Sequence, residues 1–149
     1  MRKIKVYIDG SCKNNKDKEK AVGGWGYIFV DEEDNIIKQN YGKLRNGNQN
    51  SQRAEMEAFY MALLSINAFK KGYKFDIYSD YDSLVDSING FAERKKNKDI
   101  WNDIEPLCLS LCKNIKVHHV TAHSDELFNN MADKLAKAGA NSLLKAPVK

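Results

Sequence analysis

Near residue 51 the hydrophobic period of this chain changes from two to that of a helix, and the switch sets most of what it can fold into. Before it, Ile4, Val6 and Ile8 alternate with Lys3, Lys5 and Tyr7, the pattern of a half-buried strand. That strand is expected over residues 3–9, ending at Asp9-Gly10, with a polar loop from Ser11 to Lys20 behind it. GGWGYIFVDEE supplies a second strand rich in aromatic and β-branched residues, and Asp34-Asn35 marks a turn into a third, IIKQNYGKL. Residues 3–44 therefore read as an antiparallel meander.

After the switch, Ala54, Ala58, Met61, Ala62, Ser65, Ile66 and Phe69 recur at three- and four-residue steps. Asn50 or Ser51 is placed to cap this helix, and Gly72 closes it. FDIYSD is a short strand, followed by a helix over 82–90 that Gly90 ends. A basic link, 92–99, leads to a helix carrying Ile100, Trp101, Ile104, Leu107, Cys108 and Leu111; Pro106 should kink it or mark the start of its main part. A strand, IKVHHVT, and a helix through NNMADKLAKAGA complete the order, and residues after about 140 are expected to fray. The order βββ-α-β-α-α-β-α implies an α/β fold, a mixed sheet with helices packed on its faces. With no internal repeat, low-complexity tract or linker, the 149 residues read as one domain.

Several classes fall away on composition. The longest charge-free stretch, Ala58 to Phe69, is too short to span a bilayer. MRKIKVYIDG carries charges throughout and does not read as a signal peptide, so a cytoplasmic location is expected. Three cysteines, an odd number, argue against a disulfide framework. Cys108 and Cys112 precede His118 and His119, which raises zinc, but the gap between the pairs is too short for finger spacing and the cysteines share an apolar helical stripe. Buried thiols are expected, with both histidines belonging to the strand. Net charge is +4, from 24 Lys+Arg against 20 Asp+Glu, a weak argument for a polyanionic partner. The basic residues cluster at Arg2, Lys3 and Lys5, at Lys13 to Lys20, and at Arg94, Lys95, Lys96 and Lys98. Each run alone is an ordinary solvated face.

Four carboxylates stand apart from this background: Asp9 in YIDGSC, Glu55 in NSQRAEME, Asp80 in IYSDYDS and Asp133 in NNMADKLA. Singly, each has a plain explanation, such as an Asp-Gly turn at a strand end or an acidic residue favoured by a helix N-terminus. Gathered in one cleft, they could not all ionise without cations, and hard divalent metals prefer oxygen ligands. The pattern points to a metal-dependent phosphodiesterase.

Laid on that element order, the four motifs resemble those of type 1 ribonuclease H, from Lys3 to about Ala140. The resemblance implies a five-stranded mixed sheet, antiparallel over its first three strands and then parallel, with helices on both faces. It implies endonucleolytic hydrolysis of the RNA strand of RNA–DNA hybrids with two Mg²⁺ ions, Mn²⁺ being a possible substitute. Asp9 matches the family's DGS aspartate and would bridge both ions, with Asp80 and Glu55 completing the first site and Asp133 the second. Asp82 is a rival to Asp80, but the strand runs straight into Asp80, which leaves Asp82 as a helix N-terminal charge. His123, ten residues before Asp133, matches a mobile histidine that assists proton transfer or product release. Substrate contacts fall by resemblance to Gly10 and Ser11 of DGS, to Asn14 or Asn15 and Gln52 for the sugars, to Arg53, and to Lys95 and Lys96 for phosphates. A monomer that binds hybrid duplex and no membrane is expected.

Departures from the family pattern sharpen the expectation. Asn129 and Asn130 replace an Asn-Glu pair, Gln52 replaces an asparagine, and the loop CKNNKDKEKAVGG is longer. Between Ile88 and Trp101 the chain is shorter by about a dozen residues, retaining ERKKNKD of a basic protrusion. Fewer neutralised phosphates imply weaker, more salt-sensitive binding. The same fold serves integrases, transposases, Holliday-junction resolvases and proofreading exonucleases, but QRAE and NNMAD fit ribonuclease H better. A non-catalytic hybrid-binding module would gain nothing from four clustered carboxylates. A ribonuclease H domain detached from a larger polymerase is the remaining alternative; Met1 and the short length favour a free-standing protein.

Overall fold

Strand alternation and helix period resolve into five strands and four helices in the computed structural model, which describes residues 2–14, 16–17, 19–45, 48–69, 71–89, 97–120 and 127–142. These are β1 (Arg2–Lys13), β2 (Val22–Val30), β3 (Ile36–Lys43), α1 (Ser51–Asn67), β4 (Tyr73–Ser79), α2 (Asp82–Ile88), α3 (Lys98–Leu111), β5 (Ile115–His119) and α4 (Leu127–Ala140). The sheet order is β3-β2-β1-β4-β5. β1–β2 and β2–β3 pair antiparallel, while β1–β4 and β4–β5 pair parallel. This is the expected five-stranded mixed sheet.

Each sheet face carries its own core. Ile4, Val6 and Ile8 of β1 join Trp25, Tyr27 and Phe29 of β2 beneath α1, where Phe59, Leu63 and Ile66 meet Ile100, Trp101 and Ile104 of α3. On the opposite face Tyr7, Ile28 and Val30 pack against Phe128, Met131, Ala132 and Leu135 of α4. α4 can lie this close because β2 presents glycine to it. A Cβ at Gly24 would stand 2.1 Å from the Ala140 nitrogen and 2.3 Å from the Ala136 oxygen. Gly24→Ala is therefore expected to cost about 1–3 kcal/mol by overpacking, lowering the melting temperature by several degrees at about 2–4 °C per kcal/mol. An unchanged thermal transition would contradict this seating of α4.

One buried charge pair ties α1 into the structure. Glu57 has a side chain 1% exposed, and Arg45 grips both its oxygens, Nε at 2.6 Å and Nη2 at 2.8 Å. The same guanidinium reaches Asp103 of α3 at 3.2 Å and lies 4.8 Å over the Tyr60 ring.

Several boundaries differ from the sequence reading. β1 does not stop at Gly10, because Gly10 to Lys13 continue to pair with Trp25 to Val22. α2 ends at Ile88. Pro106 lies inside α3 and not at its start; it and Asn102 are exposed, so water can reach the carbonyl that loses its helical donor. Cys112 is exposed, beyond the last residue of α3, and Cys108 is half-buried against the core, which corrects the expectation of two buried thiols. None of the three cysteines is in a disulfide. No described helix is long and apolar enough to cross a membrane. The tail after Ser142 and the segment 90–96 lie outside the described residues.

Candidate metal centre

Three carboxylates converge where β1 and β4 part. Their last paired residues are Tyr7 and Tyr78, so Asp9 and Asp80 stand two residues further along adjacent parallel strands. The crevice at the carboxyl ends of such strands is where open α/β sheets gather ligands. Glu55 arrives from α1, whose start is capped by the Asn50 side chain accepting the Arg53 N–H at 2.8 Å. A Cβ at Gly10 would lie 2.2 Å from the Glu55 nitrogen and 2.3 Å from the Ala54 carbonyl carbon. Only glycine lets the α1 backbone settle onto β1 at this point. One oxygen from each of Asp9, Glu55 and Asp80 lies within 4.8 Å of the others.

Glu55 is held at both oxygens. The Gly10 N–H donates to Oε1 at 2.7 Å and the Ser79 hydroxyl to Oε2 at 2.7 Å. Ser79 is fully buried and accepts in turn from the Tyr81 N–H at 3.1 Å. The sequence reading missed Ser79; its one signal is its place immediately before Asp80 at the strand end. Ser79→Ala is expected to weaken Mg²⁺ binding about 10-fold, in the range found for partners that orient a ligand, with Ser79→Thr near the parent. Calorimetric Mg²⁺ titration checks this, and equal affinities for Ala and parent would remove Ser79 from the site.

Asp9 and Glu55 are 5% and 3% exposed. Burial raises the pKa of the Asp9 carboxyl, and the neighbouring Glu55 and Asp80 charges raise it further. Burial and Asp80 also push Glu55 up, against the hydrogen bonds that favour its charged form. Asp133 of α4 is not one of the three grouped carboxylates, though it raises the Asp9 carboxyl further through a side-chain hydrogen bond; it pairs with Lys137 one turn on, at 3.0 Å. Without cations, ionisation of this cluster is opposed by burial and by like charge. An all-oxygen donor set whose carboxylates are raised together fits a hard divalent ion, whose binding favours the ionised form.

The folded pKa values of both Asp9 and Glu55 lie above the ordinary 3.8 and 4.5, so the folded state binds more protons than the unfolded one. Stability in chelator is then greatest below those ordinary values and falls as pH rises through the raised ones. Melting temperatures in EDTA should decline from about pH 5 to about pH 9, and Mg²⁺ should flatten the decline. A flat profile in EDTA would show that the carboxylates do not burden one another.

The remaining sequence candidates separate. Asp82 is exposed in the first turn of α2 and pairs with His119, outside the cluster. Arg53 is 6% exposed, with Nη1 2.9 Å and Nη2 2.5 Å from the Asp99 carboxylate; its partner is α3 and not the cleft. Gln52 is exposed and lines a cleft of about 560 Å³ with Asn48, Asn50, Tyr81, Ser83 and Asn97. Ser11 is half-buried, two residues past Asp9 on the same strand face. Asn14 is exposed with φ 57° and donates to the Lys20 carbonyl at 3.4 Å. His118 Nε2 donates to the Asp76 carboxylate at 2.9 Å and its ring stacks on Tyr78, in keeping with a strand residue. His123, Asn15, Lys95 and Lys96 lie outside the described residues.

Comparison with known proteins agrees with this geometry. A sequence profile of the family described as RNase H matches residues 1–141. Ribonuclease H of Campylobacter jejuni (strain 81-176) is 32% identical over 148 residues, covering 94% of this chain and 92% of the relative. Ribonuclease H of Prosthecochloris aestuarii is 33% identical over 150 residues, covering 91% and 94%. Among solved structures, LC11-RNase H1 isolated from compost superposes with a TM-score of 0.78 at 22% identity, over 95% of this chain and 97% of that one. The same protein solved in complex with an RNA/DNA hybrid gives 0.77 at 20% identity, over 93% and 96%.

Proposed function

Because this chain belongs to the ribonuclease H family, we propose that it cleaves the RNA strand of RNA–DNA hybrids internally, using two divalent cations, Mg²⁺ or in its place Mn²⁺. The observation that carries the two-cation reading is the position of Asp9. Its oxygen lies within 4.8 Å of those of Glu55 and Asp80, and its carboxyl also interacts with Asp133 of α4, so it is the carboxylate that would serve two neighbouring ions. Asp80 and Glu55 would share the first with it, and Asp133 the second. When bound, such ions supply Lewis-acid stabilisation of charge on the phosphoryl oxygens and a water activated near neutral pH.

The protein's own part is to keep these oxygens in place. Gly10 and Ser79 fix Glu55, parallel strands fix the spacing of Asp9 and Asp80, and Lys137 restrains Asp133. The exposed amide of Gln52 in its polar cleft, with Asn14, Asn15 and Ser11, would contact the sugars, and a contact to the 2′-OH is what separates RNA from DNA. His123 would assist proton transfer or product release, and Lys95 and Lys96 would meet phosphates. The protein would act as a monomer in the cytoplasm.

The test is cleavage of a labelled hybrid in Mg²⁺ and in EDTA, beside RNA–RNA and DNA–DNA duplexes. Metal-dependent loss of the RNA strand alone is the expected result. Binding without cleavage in every metal tried would overturn the reading in favour of a hybrid-binding module.

A further inference from the structure

The face of β4 and β5 opposite α1 is covered by no described helix, since α4 packs on β1, β2 and β3. Along this open face and the exposed start of β1 beside it, parallel registry sets Lys3 beside Lys74, and Lys5 beside Asp76 beside Lys116. All four lysines are exposed. Asp76 is the one carboxylate among them, and His118 already bonds to it at 2.9 Å. Like charges directly opposite across strands are destabilising, and Lys74 meets this only in part, its Nζ donating to the Lys113 carbonyl at 2.5 Å. The lysines extend into a cleft of about 350 Å³ that Lys3, Lys74, Lys113 and Lys116 help to line. Asp9 looks out on the same sheet face, for it pairs with Gly26, whose missing Cβ points at α4. At about 3.3 Å per residue, Lys5 stands roughly 13 Å and Lys3 roughly 20 Å down the strand from Asp9.

We propose that this open face is a second nucleic-acid surface, holding the backbone phosphates of the strand that continues beyond the cleavage point. It rests on the hybrid-cleaving reading above for the identity of the polyanion. The chemistry is that of lysines as point charges on phosphate. The Tyr7, Tyr78 and His118 rings stack on one another across the strands, which turns their faces toward each other and not toward bases. The contact is therefore insensitive to sequence and depends strongly on salt.

The experiment measures hybrid binding by fluorescence anisotropy in EDTA across a salt series, for the parent, Lys5→Gln/Lys116→Gln and the control Lys38→Gln/Lys71→Gln. The control removes equal charge from exposed positions off this face. Each lost phosphate contact lowers the slope of log affinity against log salt by about 0.9, so the first variant should lose about 2 while the control matches the parent. Equal slopes in both variants would overturn the proposal, as would retained hybrid binding together with lost binding of poly-glutamate, which would assign the face to an acidic protein segment. Melting temperatures confirm that both variants fold. Cleavage plays no part in this readout, so failure to cleave in Mg²⁺ would count against the catalytic reading and a shared slope against the face.

Discussion

Asp9→Asn is expected to abolish cleavage of the RNA strand while producing a protein that, in chelator at alkaline pH, melts above its parent. The two effects have one origin. Asp9 is buried between Glu55, Asp80 and Asp133, and its ionisation is opposed by desolvation and by like charge. An amide at this position relieves that burden in the metal-free protein, yet it supplies no anionic oxygen to hold a cation. Charge stabilisation by bound metal is worth several kcal/mol, and about 4 kcal/mol corresponds to roughly a thousandfold in rate. A loss of at least that size is expected in single-turnover assays, with hybrid binding in EDTA undiminished because one negative charge has left the cleft. Cleavage within tenfold of the parent would show that Asp9 is not a shared ligand, and a lower melting temperature in EDTA would show that it is stabilised by contacts other than those described.

Arg45→Met is expected to give the largest loss of stability. Glu57, with its side chain 1% exposed, would lose the two short hydrogen bonds that now satisfy it. Removing one member of a buried pair typically costs about 3–5 kcal/mol. Arg45 is itself half-exposed, so water can partly take its place and the lower end, about 3 kcal/mol, applies. Urea denaturation measures it directly. Arg45→Met with Glu57→Leu should recover most of the loss, since replacing both charges with apolar groups is often neutral. A single variant within 1 kcal/mol of the parent would mean that water already reaches Glu57.

Much of the site was readable because its parts are local. Asp9 and Asp80 end strands whose alternation is plain, and Glu55 follows a cap that Asn50 announces. The choice of Asp80 over Asp82 agrees with the cluster, because one residue of strand direction separates the cleft from the first turn of α2. What escaped the sequence depends on partners far along the chain. Arg53 is claimed by Asp99, 46 residues away, so a motif position became a tie between two helices. Ser79 acquires meaning only when Glu55 reaches across from α1. The polar residues after Gly10 looked like loop, yet β2 supplies them with a complete edge to pair with. Cys112 left its apolar stripe because α3 ends one residue earlier.

The seat of α1 on Gly10 has a consequence for ion choice. The main chains of β1 and α1 are in contact there, with no side chain between them to compress or swing aside. The cleft therefore cannot widen without lifting the helix. Oxygens at about 2.0–2.1 Å suit Mg²⁺, whereas Ca²⁺ needs about 2.3–2.6 Å and more ligands. If the site holds cations as proposed above, this close seat is expected to favour the smaller ion, with Ca²⁺ occupying the site as an inhibitor.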